Sequence, residues 1–167
     1  SVGQVNNGSY DNCSIIGYGL SQSVFTCANI GNNNVTLSGR DKSNNSGQCT
    51  AVVTVTDPIK PVAKCKDLTA NLGANGTVLV DPASINNGSS DNCSFTLSLT
   101  PNLFNCSNLG QNTVTLKATD TGGNMATCTA KVTVRDVTGP TAKCKNPTIY
   151  LDDSGQVTLS ASQVDNG

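Results

Sequence analysis

From Met125 to Asp136 the chain alternates strictly. Ala126, Cys128, Ala130, Val132 and Val134 fall on one side, and Thr127, Thr129, Lys131, Thr133 and Arg135 on the other. A period of two over this length predicts a half-buried β-strand. Residues 48–57 repeat the pattern with Cys49, Ala51, Val53 and Val55 inward. Residues 113–119 turn Val114, Leu116 and Ala118 inward, and 93–99 place Cys93, Phe95, Leu97 and Leu99 on one face. Residues 70–80 predict two further strands joined through the turn residues Gly73 to Gly76. No stretch carries a convincing helical period. Short strands parted by Gly, Asn and Asp turns predict an all-β chain, folded as an antiparallel β-sandwich.

The strands recur. "PVAKCK" at 61–66 returns as "PTAKCK" at 140–145, an offset of 79, and Cys27, Cys49 and Cys65 return at that offset as Cys106, Cys128 and Cys144. Cys13 returns as Cys93 at an offset of 80, and "SVGQVNNG" at 1–8 is answered by "SASQVDNG" at 160–167. A fixed period of this kind marks a tandem array. It divides the chain into the later part of one module (1–60), a complete module (61–139) and the opening of a third (140–167). The expectation is a repeating slice of something longer, or a subunit that its neighbour completes. "VTDPIKP" (55–61) and "VRDVTGP" (134–140) join the modules through proline, which restricts φ and limits bending.

Composition narrows the class. Three Phe, three Tyr and no Trp among 167 residues leave little large apolar surface to bury, so the core is thin and needs reinforcement. Eight cysteines supply it, and many cysteines in small modules point to an oxidising compartment. Ten basic and eleven acidic residues without clustering offer no footprint for nucleic acid and no basic face for membrane insertion. No apolar run reaches transmembrane length. With no His, the usual general base is missing, and no glycine-rich loop opens a helix to hold phosphate. The expectation is a non-enzyme.

"PVAKC" at the module start, "ATD" and "GGN" within 118–124, and "ATCTAKVTVRD" at its end resemble the hyalin repeat (HYR) family. The resemblance runs over essentially the whole chain. It implies tandem immunoglobulin-like sandwiches in an extracellular or cell-surface protein concerned with adhesion and architecture. The extra cysteines in "SDNC" and "FNC" are similar to the bacterial, four-cysteine variety.

Zinc is the rival use of the cysteines, but no C-x-x-C pair exists and the spacings suit no common zinc knuckle. Disulfides are expected, with a connectivity that sequence leaves open. The strand pattern favours Cys65 with Cys128, as the resemblance also implies. Cys93 then pairs with Cys106 across a loop, and Cys13 with Cys27. On the loop-entropy model the longer bridge stabilises by about 4 kcal/mol and the shorter by about 3 kcal/mol. Cys144 is expected to pair with Cys49 of the next copy.

No cofactor is required by this reading. Calcium takes six to eight oxygens, and the candidates for it are Asp57, Asp91, Asp120, Asn124 and Asp136, with the linker aspartates placed to stiffen junctions. In the bland alternative, Asp120 in "DTGGN" and Asp41 in "DKSNN" merely accept backbone N–H bonds across their turns. Eight N-x-S/T sequons, at Asn7, Asn12, Asn34, Asn44, Asn75, Asn87, Asn92 and Asn105, are candidates for covalent glycans, although an Asn-, Ser- and Thr-rich chain generates several by composition. The expected function is a structural repeat of an extracellular bacterial fibre or stalk, whose partners are copies of itself. The alternatives are an adhesion or carbohydrate-binding module that uses loops 6–14 and 86–94, and a spacer within a larger secreted enzyme.

Overall fold

The computed structural model describes residues 1–166. The chain is all-β, and its first sheet is an antiparallel meander of β1 (Ile15–Leu20), β2 (Gly31–Asp41) and β3 (Ser46–Val55) in spatial order β1-β2-β3. Only Val35 and Leu37 of this sheet are fully buried. Residues 61–139 hold the real core. There β4 (Leu68–Asn71), β9 (Met125–Arg135), β8 (Gly110–Asp120) and β6 (Phe95–Thr100) form a four-stranded sheet in the order β4-β9-β8-β6. A two-stranded sheet of β5 (Thr77–Leu79) and β7 (Leu103–Asn105) faces it.

The alternation along 126–134 is realised. Ala130, Val132 and Val134 are buried, and Cys128 packs half-buried against the same cluster. Val114, Leu116 and Ala118 of β8 lie opposite Ala130, Cys128 and Ala126 in register, so inward positions of the two strands stack as cross-strand pairs. Phe104 on β7, Leu72, Val80 and Ile85 close the core from the other side.

Two strand expectations need correction. Residues 70–80 do contain two strands, but they part company. The strand β4 joins β9 in the one parallel pairing among the described strands, and β5 joins β7. The turn at Gly73–Gly76 therefore crosses between the layers, closed by Gly73 N–H to the Thr77 carbonyl at 2.9 Å. The strand expected from Cys93 begins only at Phe95, because the Cys93 N–H is taken by the Asp91 carboxylate at 2.9 Å. Among the described residues three α-helices of four residues each occur, α1 (Val2–Val5), α2 (Pro82–Ile85) and α3 (Ala161–Val164). Of these, α2 has the clearest local cause, with Asp81 accepting from Ala83 N–H and Pro82 at the first helical position.

Equivalent residues make equivalent bonds. Lys66 N–H reaches the Ile85 carbonyl at 2.9 Å, and Lys145 N–H reaches the Val164 carbonyl at 2.8 Å. Cys65 bridges Asn86 as Cys144 bridges Asp165. The segment 140–159 otherwise lies exposed and without strand structure.

Candidate functional site

The chemistry-bearing groups meet where the three-stranded sheet runs into the sandwich. Asp57 comes from the linker after β3, Asp91 from the turn before β6, and Asp120 from the end of β8. One carboxylate oxygen of each lies within 4.8 Å of the others. Asp120 is buried, its Oδ1 accepting the Asn124 N–H at 2.7 Å and its Oδ2 the Asn124 side-chain amide at 2.8 Å. That amide also donates to the linker carbonyls of Asp57 (2.8 Å) and Ile59 (3.1 Å). Asn92 Nδ2 reaches Asp57 Oδ2 at 3.1 Å. Asp91 Oδ1 is buried without a hydrogen-bond partner. At an effective dielectric near 20, two full charges at this separation repel by roughly 3 kcal/mol. Three acidic groups, one with a buried bare oxygen, beside linker carbonyls form an oxygen-only set of the kind a hard cation takes.

Two glycines explain how the turn reaches the linker. A Cβ on Gly122 would lie 2.8 Å from the Asp57 carbonyl oxygen, so only glycine allows this approach. The repeat counterpart of Gly122 is Ser43. Gly123 takes φ +88°, and its counterpart Asn44 takes φ +71°, a left-handed position that Asn tolerates. The turn itself is the same at both places, since Asp41 receives the Asn45 N–H and side-chain amide, each at 2.8 Å. The Asn45 amide holds the Asp41 carboxyl below its ordinary range, against a smaller opposing effect of desolvation. The modest reading of these turns, aspartate accepting across the loop, is thus realised at both positions. At Asp120 the cluster is added to it.

Asp57, Asp91, Asp120 and Asn124 are therefore brought together, and Asp136 is not among them. Asp136 stands 79 residues after Asp57 and repeats its local bond. Its Oδ1 accepts the Thr138 N–H at 2.9 Å, as Asp57 Oδ1 accepts the Ile59 N–H at 3.0 Å.

A disulfide clamps the same junction. Cys65 and Cys128 are bonded, with Cα atoms 5.9 Å apart. The expected Cys93–Cys106 and Cys13–Cys27 bridges are absent. Cys27 is bonded instead to Cys93, Cα to Cα 5.6 Å, tying the first sheet to the sandwich. Cys93 precedes β6 of the four-stranded sheet and is already spent on Cys27, whereas Cys106 follows β7 in the facing two-stranded layer and stays free, as does Cys13. Cys13, Cys49, Cys106 and Cys144 are exposed free thiols.

The sequons at Asn7, Asn12, Asn34, Asn44, Asn75, Asn87, Asn92 and Asn105 are all exposed. The amide of Asn92 is engaged in the junction, and Asn105 Oδ1 caps a short 3-10 turn. Loop 86–94 is also bound in place, Ser90 exchanging backbone bonds with Val62 at 2.7 and 3.0 Å. Loop 6–14 is open, with Tyr10 94% exposed.

Fold and junction together define an all-β protein with two disulfides, one of which joins its first sheet to a sandwich. No known protein family matches the chain, and no curated protein matches it. No helix among the described residues is long and apolar enough to cross a membrane.

Proposed function

We propose that this chain is a structural repeat unit of an extracellular fibre or surface stalk, bacterial on its resemblance to hyalin repeats, in which neighbouring copies complete one another's sandwiches. One observation carries the reading. In the sandwich, β4 pairs in parallel with β9, Leu68 against Val132 and Ala70 against Val134. Its repeat counterpart, 147–150, has no strand partner, while β3, the counterpart of β9, leaves an edge of the first sheet open. Transposed by 79 residues, the same register sets Pro147 against Val53 and Ile149 against Val55 of another copy. An unpaired edge is a ready template for an added strand.

The apolar surfaces fit this exchange. Ile149 and Leu151 are exposed, whereas their counterparts Ala70 and Leu72 are buried. A groove of about 560 Å³ on the first sheet, lined among others by Val5, Ile15, Leu37 and Cys49, lies where the missing layer belongs. Cys144 and Cys49, counterparts of the bonded Cys65 and Cys128, are both free and exposed. Strand and thiol arrive together.

Electron microscopy of the oxidised protein is expected to show long uniform filaments. Ile149→Asp with Leu151→Asp, two exposed positions outside the core, is expected to leave single particles. Discrete particles from the unaltered chain would sink the proposal.

Calcium at the junction belongs to the same reading, held by Asp57, Asp91 and Asp120 with help from linker carbonyls. The ion would offset the mutual repulsion of the carboxylates and stiffen the joint. Calcium is expected to raise the thermal midpoint relative to chelator, and Asp91→Asn to remove that rise. An unaltered chain whose midpoint ignores calcium rules the site out.

A further inference from the structure

We infer that each junction between copies carries a second covalent bond, from Cys106 of one copy to Cys13 of the next. The inference rests on the fibre reading above and adds to it a clamp that the completion of a sandwich does not itself require.

The Cys27–Cys93 bond is the template. It joins the first sheet to the sandwich that follows it. The counterpart of Cys27 is Cys106, at an offset of 79, and the counterpart of Cys93 is Cys13, at 80. These are the two free thiols left over after Cys49 and Cys144 are assigned to the sandwich-completing bond. Cys106 and Cys13 are thus the two unlike halves of a bridge already formed once in the same chain.

Both halves stand on the local frame that the formed bridge uses. Cys27 opens a 3-10 turn, Cys27–Asn29, and Cys106 opens the matching turn, Cys106–Asn108. Asn33 Nδ2 anchors the first turn through the carbonyls of Asn29 (2.7 Å) and Gly31 (3.1 Å). Asn112 Nδ2 does the same through Asn108 (2.7 Å) and Gly110 (3.1 Å). On the other half, the Cys93 N–H is held by Asp91 Oδ2 at 2.9 Å, and the Cys13 N–H by Asp11 Oδ2 at 2.8 Å. In these hydrogen bonds each free thiol's surroundings match those of its bonded counterpart.

The acidic residues follow the cysteines. The transposition that sets Cys106 beside Cys13 also sets Asp136 beside Asp11 and Asp41 of the next copy, the counterparts of Asp57, Asp91 and Asp120. Asp136 and Asp41 already make the local hydrogen bonds that their counterparts make. Because the two halves differ, the contact is head to tail, and where its rotation does not close a ring it propagates as an open filament. Each bond converts two cysteine thiols into one disulfide. The two electrons and two protons pass to a small-molecule disulfide such as oxidised glutathione, which leaves as two thiols.

The test separates the two bonds. Unaltered chain, Cys49→Ser with Cys144→Ser, and Cys13→Ser with Cys106→Ser are oxidised with glutathione disulfide and run on denaturing gels without reductant. The Cys49/Cys144 double variant is expected to retain a ladder in steps of one 17.1 kDa chain that reductant collapses. Mass spectrometry of a mixture of unlabelled and isotope-labelled chains is expected to find the peptide carrying Cys13 joined to that carrying Cys106 across the two labels. If the unaltered protein forms filaments while the Cys49/Cys144 variant runs only as single chains, this inference is overturned and the fibre reading stands. If the unaltered protein gives discrete particles with four titratable thiols per chain, both fall.

Discussion

Replacing Cys65 and Cys128 together by alanine is expected to lower the stability of the sandwich by about 4 kcal/mol, as measured by urea unfolding under oxidising conditions. The bond spans 63 residues, and closing a loop of that length removes chain entropy from the unfolded state worth about this much. Both sulfurs pack half-buried against the core cluster, so some apolar contact is lost as well. A domain of this size commonly has only about 5–15 kcal/mol in hand, and one with so few aromatic residues starts near the lower end. The variant should therefore retain only about 1 kcal/mol and show a measurable unfolded fraction in water that the unaltered chain does not. A loss below about 1 kcal/mol would mean that the thin core suffices alone, against the reasoning from composition.

Phe104→Ala is expected to cost about 3–5 kcal/mol, read from the same unfolding curves. Phe104 is 1% exposed and is the largest fully buried side chain of the described residues. It sits on β7, in a layer of only two strands, where few neighbours can collapse into the space it leaves. Its repeat counterpart Phe25 is only half-buried, because the first sheet has no facing layer of its own. Phe25→Ala in the isolated chain should cost distinctly less. Equal losses at the two positions would contradict the view that the opposing layer makes the difference.

The strands were legible because burial on one face writes itself into alternation: β8 buried Val114, Leu116 and Ala118, and β9 buried Ala130, Val132 and Val134 with Ala126 and Cys128 half-buried. The recurrence of segments at 79 residues was legible because it stands in the residues themselves. The acidic cluster was legible in part: Asp57, Asp91, Asp120 and Asn124 were candidates by type, but nothing local says that a linker carbonyl will lie against Gly122. The Cys27–Cys93 bond was not legible in the alternation. Reasoning from strand faces pairs cysteines within one repeat, and this bond depends on how the sheet meets the sandwich that follows it.

By itself the amino-acid sequence determined what local periodicity and self-comparison can carry: the β-strands, their inward faces, the 79-residue recurrence and the need for disulfides. Tertiary structure alone decided the pairing of β4 with β9, the partner of Cys93 and the convergence of three aspartates. Each of these joins residues tens of positions apart. Their proximity is a property of packed layers, and side-chain pattern within any one segment does not encode it.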